Sequence, residues 1–482
     1  MQRGAGILLH ISSLPGASQT GDFGDSAYRF VDFLIEGGFR YWQILPITPT
    51  QSNGSPYDSI STFAGNPAFI CFKQLAAENL ADNTLCEMPL NHPQRWSTLA
   101  DYFTSNANTE LQNQYQNFIQ EQSYWLNDYA HFQLLKQRFE QQAWTCWPEK
   151  YRDKRYIPET PEDESTMDTY RIQQFLFFRQ WRKLKNHANK HGIQLIGDLP
   201  IFVAHDSADC WAHRPLFQLH ADGQTKTVSG VPPDYFSAQG QRWGNPCFDW
   251  PQHQKENFNW WLQRMTHQLG LFDLLRIDHF RGFEAYWEID SKENTALNGQ
   301  WVKAPGEKLF QHLMKIGKNK NASALPIIAE DLGVITPEVE ALRDQFGFPG
   351  MKILQFAFDS DSQNPYLPHN HCINSVVYTG THDNNTTRGW ESELSPELHA
   401  HIRNYFGADD EAMVDILLRA TLASVADLAI VPFQDILRLG ADRRMNTPGT
   451  SLGNWNFRFD WSEVNNGLCK KLHQLNRLYG RC

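Results

Sequence analysis

Apolar residues along the chain gather in eight short runs, each closed by polar residues or by Gly and Pro. They are GILLHIS from Gly6, YWQILPI from Tyr41, IQLIGDLPIFV from Ile193 and LLRIDHF from Leu274. LPIIAEDLG from Leu325, MKILQFAF from Met351, NSVVYTGTHDN from Asn374 and LAIVPFQD from Leu428 complete the set. Few of them alternate apolar with polar, so they read as strands buried on both faces, as a parallel sheet requires. Helical patterns separate them. SAYRFVDFLIEGG ends in a Gly pair, and RIQQFLFFRQWRKLKNHANKHG runs to Gly192. TPEVEALRDQFG places Thr336 at the N-cap, Pro337 at the first helical position and Gly347 beyond the end.

Eight strands alternating with helices predict an α/β fold, a closed (β/α)8 barrel. Such a barrel needs about 250 residues, and the chain has 482, so the excess falls in insertions. One, at 66–167 after the second strand, is rich in Gln, Asn, Tyr and Trp and reads as mainly helical. The other, at 205–250 after the third strand, is rich in Gly, Pro and aromatics and reads as loops. No fixed-period repeat or low-complexity linker interrupts the pattern. Residues 1–482 therefore read as one elaborated catalytic barrel with no separate C-terminal β-domain.

Charge narrows the partners. Net charge is −11, with no basic run, which argues against nucleic acid or an anionic membrane surface. No stretch approaches the ~20 apolar residues of a membrane span, and the N-terminal apolar run is too short for a signal segment. The eight cysteines form no CxxC pair and read as reduced thiols of a cytoplasmic protein. Aromatics make up 13% of the chain, with 16 Trp. Most must be core, but several sit in polar loops.

In this fold catalytic residues lie at the C-terminal ends of strands. Asp198 follows IQLIG, Asp278 follows LLRI, Glu330 follows LPIIA, and His382 with Asp383 follows SVVYTGT. A lone Asp at such a place is usually a helix cap or turn residue. Carboxylates at four strand ends, opening onto one mouth, point to a site. Arg276 and Asp278 are two apart and share a face of their strand, so the arginine is expected to lower the Asp278 pKa and hold it ionised. Glu330 leaves an apolar run with no basic neighbour close in sequence, and desolvation is expected to keep it protonated. Carboxyls pushed in opposite directions suit retaining glycoside chemistry, one attacking the anomeric carbon while the other protonates the leaving oxygen. Aromatic loops suit the apolar faces of sugar rings.

Other chemistries draw on some of the same residues. His10, His205, His279 and His382 near Asp206, Asp278 and Asp383 suggest a metal-dependent barrel hydrolase, but HxH, HExxH and cysteine ligands near the mouth are missing. No GxGxxG or GxxxxGK[ST] supports a nucleotide cofactor, and no GxSxG marks a serine nucleophile. A non-catalytic sugar-binding protein would keep the aromatics without needing an acid and a nucleophile at separate strand ends. The residues alone support a retaining α-glycosidase or glycosyltransferase.

LLRIDHFRG, IIAEDLG, GDLPIFVAHDSADCWA and YTGTHDNNT resemble four short segments shared across the α-amylase clan. Their wording is that of its 4-α-glucanotransferase branch, the amylomaltases or disproportionating enzymes of glycoside hydrolase family 77. SPYDSISTFAGNP, GVPPDYFSAQGQRWGNP, QWVKAPGEKLF and RMNTPGTSLGNW extend the resemblance from about Gly4 to Trp455. The resemblance implies retaining transfer of α-1,4-glucan segments between a glucan donor and a sugar acceptor, in the cytoplasm, with no cofactor and no metal. It implies Asp278 as nucleophile, Glu330 as general acid/base and Asp383 as a third carboxylate binding sugar hydroxyls. Arg276 would orient Asp278, Asp198 and His382 would line the site, and Tyr57 would stack beneath the sugar at the scissile bond. Asp234, Tyr235, Phe236, Gln241, Trp243 and Asn454 would contact neighbouring glucose units. Cys210 stands where the pattern has an aliphatic residue, and NWNFRF replaces a more Trp-rich ending. The chain starts directly at the barrel, so no separate starch-binding module is expected.

Overall fold

A computed structural model describes residues 1–16, 20–153, 160–233, 238–319, 324–450 and 452–482. Twelve strands are found among them, in chain order β1 Gly4–Leu8, β2 Tyr41–Gln43, β3 Gln194–Pro200, β4 Thr227–Val231, β5 Gln241–Pro246 and β6 Leu274–Asp278. β7 Ala285–Asp290, β8 Gly299–Lys303, β9 Ile327–Ala329, β10 Gly350–Ile353, β11 Ser375–Tyr378 and β12 Leu428–Pro432 follow.

Eight of these, β1, β2, β3, β6, β9, β10, β11 and β12, pair in parallel in that order, with β12 returning to β1. Between β9 and β10 the Ala329 N–H donates to the Pro349 carbonyl at 2.9 Å, closing the ring. All eight predicted strands are the staves of this (β/α)8 barrel. Strands β1, β11 and β12 are buried at every position, which is why their sequences do not alternate: helices cover one face and barrel interior fills the other.

Gly197 shows how tightly the layers meet beside a predicted site residue. A Cβ there would lie 2.2 Å from the Phe272 ring. Only glycine lets that ring, just ahead of β6, lie against β3 next to Asp198.

Between β2 and β3 the described chain is helical, including Arg95–Asn106, Thr109–Glu121 and Leu126–Arg138. The long helix before β3 spans Pro161–Lys190, beginning ten residues ahead of the periodic stretch that announced it. Its start is a regular one: the Thr160 hydroxyl accepts from the Asp163 N–H, Pro161 is in the first turn, and Glu162, Asp163 and Glu164 face the positive helix end.

The region after β3 is not all loop. Strands β4 and β5 lie within it and pair antiparallel with β7 and β8 in the order β5-β4-β7-β8. This second sheet joins segments that follow two different barrel strands, β3 and β6, and no hydrophobic run revealed it. Strand β8 has no buried position, so its sequence carries no core signal.

Candidate active site

The C-terminal ends of the barrel strands hold the predicted carboxylates. In the β3–β6 register Asp198 stands opposite Arg276 and Pro200 opposite Asp278, so Asp198 and Arg276 point into the barrel side by side. Arg276 Nη1 donates to both Asp198 oxygens at 2.8 and 2.7 Å, and Nη2 lies 3.0 Å from Asp278 Oδ1. One buried guanidinium thus serves two carboxylates. The Asp198 side chain is fully covered while that of Asp278 keeps 30% of its exposure, so Asp278 alone of the two reaches the mouth.

Glu330 leaves β9 toward Asp278. Its Oε2 accepts from the His279 N–H at 2.6 Å, its Oε1 from the Leu332 N–H at 2.8 Å, and its own carbonyl from the Phe280 N–H at 3.1 Å. His279 takes φ +55°, a left-handed conformation costly for a side-chain-bearing residue, and this turn aims the His279 and Phe280 N–H groups at Glu330.

The charges differ from the expectation for Asp278. Burial pushes its carboxyl up to about 8, with Asp198, Glu330 and Asp383 adding to the rise and Arg276 opposing it. The sequence neighbour Arg276 is there as predicted, but three further acidic groups converge from other strands and much of its charge goes to Asp198. Burial also raises Glu330, against the pull of Arg276 and the two N–H donors. That direction agrees with the expectation, although Glu330 does have a cation nearby once the barrel closes. Both carboxyls are therefore raised from their ordinary values, with burial the largest cause in each.

Asp383 is more open than Asp278, with 45% of its side chain exposed. Its Oδ1 accepts from Asn446 Nδ2 at 2.6 Å, and its Oδ2 lies 3.4 Å from His382 Nε2. Burial lowers the His382 pKa despite Asp383, which keeps the imidazole neutral. Tyr57 stacks on that imidazole, centroids 5.1 Å apart and planes at 16°, and donates its hydroxyl to Asp198 at 2.8 Å. Trp455 leans on both rings, at 5.8 Å from Tyr57 and 6.0 Å from His382.

The remaining predicted residues divide. Gln241 and Trp243 share β5, bonded to each other through the indole N–H at 3.2 Å, and the Trp243 ring stands edge-on to His279 at 4.8 Å. They border the site from the second sheet. The Asn454 amide is spent on its own turn, accepting from the Thr447 N–H and donating to the Thr450 carbonyl, both at 2.9 Å. Asp234, Tyr235 and Phe236 lie outside the described residues. Two neighbours escaped the sequence reading. Trp455 had a signal, an indole in the Gly-rich polar loop LGNWNF; Asn446 had none, since its contact with Asp383 spans 63 residues.

Among the described residues no group of three or more His, Cys, Asp or Glu is placed to hold a metal ion. A cleft of about 380 Å³ lined by Asp415, Arg438 and Lys471 contains none of the predicted site residues. Glycoside chemistry needs an acid and a nucleophile flanking one bond, and the mouth of the barrel holds the carboxyls of Asp278 and Glu330 at the ends of the paired strands β6 and β9.

A family profile described as 4-alpha-glucanotransferase matches residues 9–463. The chain is 45% identical to a 4-alpha-glucanotransferase of Synechocystis, over all of this chain and 98% of that one. It is 45% identical to one of Thermus thermophilus, over 95% of each. Among solved structures it is similar to an amylomaltase from Streptococcus agalactiae in complex with acarbose, with TM-score 0.92 and 35% identity over the full length of both chains.

Proposed function

This chain belongs to the 4-alpha-glucanotransferase family, and on that premise we propose that it transfers α-1,4-glucan segments by double displacement at Asp278 and Glu330. The observation that carries the assignment of roles is the hydrogen bond from the His279 N–H to Glu330 Oε2 at 2.6 Å, which sets the Glu330 carboxyl beside the residue that follows Asp278.

In the first step an Asp278 oxygen forms a bond to the anomeric carbon as the glycosidic bond breaks, and Glu330 gives its proton to the departing sugar oxygen. In the second, Glu330 takes a proton from the hydroxyl of an incoming sugar, whose oxygen displaces Asp278 and restores the α-linkage. Arg276, held by Asp198, keeps the Asp278 oxygen aimed. Asp383 and His382 bind hydroxyls of the reacting ring, and Tyr57 lies beneath it. Gln241 and Trp243 contact adjoining glucose units, as do Asp234, Tyr235 and Phe236, while Asn454 shapes the loop that presents Trp455.

The same reading treats residues 1–482 as one catalytic barrel elaborated at 66–167 and 205–250. It also places the enzyme in the cytoplasm. In support, no helix among the described residues is long and apolar enough to cross a membrane, and the eight cysteines are unpaired.

Maltotriose alone tests the transfer. Glucose and chains longer than three units are expected to appear together while total reducing ends stay flat, because each cleavage is matched by one new bond. A steady rise in reducing ends without longer chains would identify a hydrolase instead.

A further inference from the structure

We propose that Arg281 is a positioning residue for Glu330, held in that role by Trp301; the inference rests on Glu330 being the general acid. Three consecutive residues after Asp278 reach across to the segment that carries Glu330. The His279 and Phe280 N–H groups bond Glu330 itself, and Arg281 Nη1 donates to the Val334 carbonyl. That last bond matters because of what lies between. Leu332, two residues before Val334, supplies the N–H that holds Glu330 Oε1. Gly333 has φ +83° with nothing near its Cβ position, and Val334 is 59% exposed. Leu332 and Ile335 pack the two ends of this turn against the core, and the Arg281 bond holds its exposed crest at Val334.

Arg281 is in turn fixed from outside the barrel. It is buried, and its guanidinium lies 3.7 Å from the centroid of the Trp301 ring on β8. Trp287, opposite Trp301 in the β7–β8 register, braces that ring at 5.2 Å and 67°. Trp301 is itself 40% exposed, so it is not a core residue whose loss empties the interior. The second sheet thus grips the 279–281 segment at two points, with Trp243 against His279 and Trp301 against Arg281. Through Arg281 it sets where the Leu332 N–H stands, and so where the Glu330 carboxyl points.

A donor that needs no protonation separates this role from general support. A glucan needs the Glu330 proton on its leaving oxygen, whereas an α-glucosyl fluoride departs as fluoride without it. Arg281→Ala is expected to lose at least about tenfold in kcat on maltotriose with KM within about twofold, since misplacing a catalytic group costs rate more than binding. First-turnover fluoride release by the same variant should stay within about threefold of wild type. Trp301→Ala should show the same selective loss, smaller, and Trp301→Phe should restore it by returning a ring face to the guanidinium.

Equal losses on both donors, or no loss in either the Arg281 or the Trp301 variant, would overturn the proposal. If Arg281→Ala does not fold, the Trp301 pair decides alone by the same comparison. Glu330→Gln run in parallel separates the two levels of inference. It must itself show the glucan-selective loss, and its failure to do so removes the acid assignment and the clamp together, whereas its success with unaffected clamp variants removes only the clamp.

Discussion

Arg276 is the residue on which the site's electrostatics turn. Its fork satisfies a fully buried Asp198 and still reaches Asp278, which a single-point lysine ammonium cannot do in that geometry. The roles proposed for Asp278 and Glu330 predict different failures. Asp278→Asn should lose at least about a thousandfold in turnover on any donor, roughly 4 kcal/mol of barrier, since no covalent intermediate forms. Near-native turnover would remove Asp278 as nucleophile. The crowding of acids also has a cost in stability. Because the folded Asp278 carboxyl sits at about 8 against about 3.9 unfolded, the folded protein binds a proton across that interval which the unfolded chain has released. The contribution of Asp278 to stability is therefore greatest below about pH 4 and declines as pH rises toward 8. Asp278→Asn should gain stability relative to wild type steadily as pH rises from 4.5 to 8. Thermal unfolding across that range checks it, and a constant difference would mean that Asp278 ionises like a surface carboxylate.

Among the elements, the ends of the chain close the lower face of the barrel. Arg481, fully buried, donates to the carbonyls of Leu422, Ser424, Ala426, Asp427 and Gly4. It ties the C-terminal end of helix Met413–Ala423 to the starts of β12 and β1. Arg481→Ala should cost at least about 2 kcal/mol, because five carbonyls would lose a charged donor, with Arg3 left to bond those of Ser424 and Ala426 and the Gly4 N–H that of Asp427. A urea titration measures it, and a loss under about 1 kcal/mol would mean that water replaces the guanidinium freely. Such contacts explain which elements were readable. The barrel strands announce themselves because each is buried on both faces, and helix Pro337–Gln345 because its boundary residues are local. Strands β4, β5, β7 and β8 do not, since their order comes from pairing between segments far apart in the chain.

For the whole molecule, a net charge of −11 with acids concentrated at the mouth invites a metal-dependent reading. The geometry gives those acids other partners: Arg276 for Asp198 and Asp278, backbone N–H groups for Glu330, Asn446 for Asp383. Exhaustive EDTA treatment should therefore leave transfer from maltotriose unchanged. Activity lost and then restored by zinc or manganese would return His279 and His382 to consideration as ligands.

What the sequence determined by itself is the barrel and the residue types at its mouth. Strand burial, strand-end position and side-chain period are properties of short stretches, and LLRID already places Arg276 and Asp278 on one face. Only the tertiary structure decided how those residues are charged and held. Burial at the closed mouth, with Asp198, Glu330 and Asp383 approaching Asp278 from three other strand ends, reverses the shift that Arg276 would impose alone. Asn446 and Trp455 arrive from the loop after β12, and Trp301 from a sheet without a core signal. Coulomb forces and desolvation act through space, so they depend on which strand ends the closed barrel brings together, and no window of sequence contains that distance.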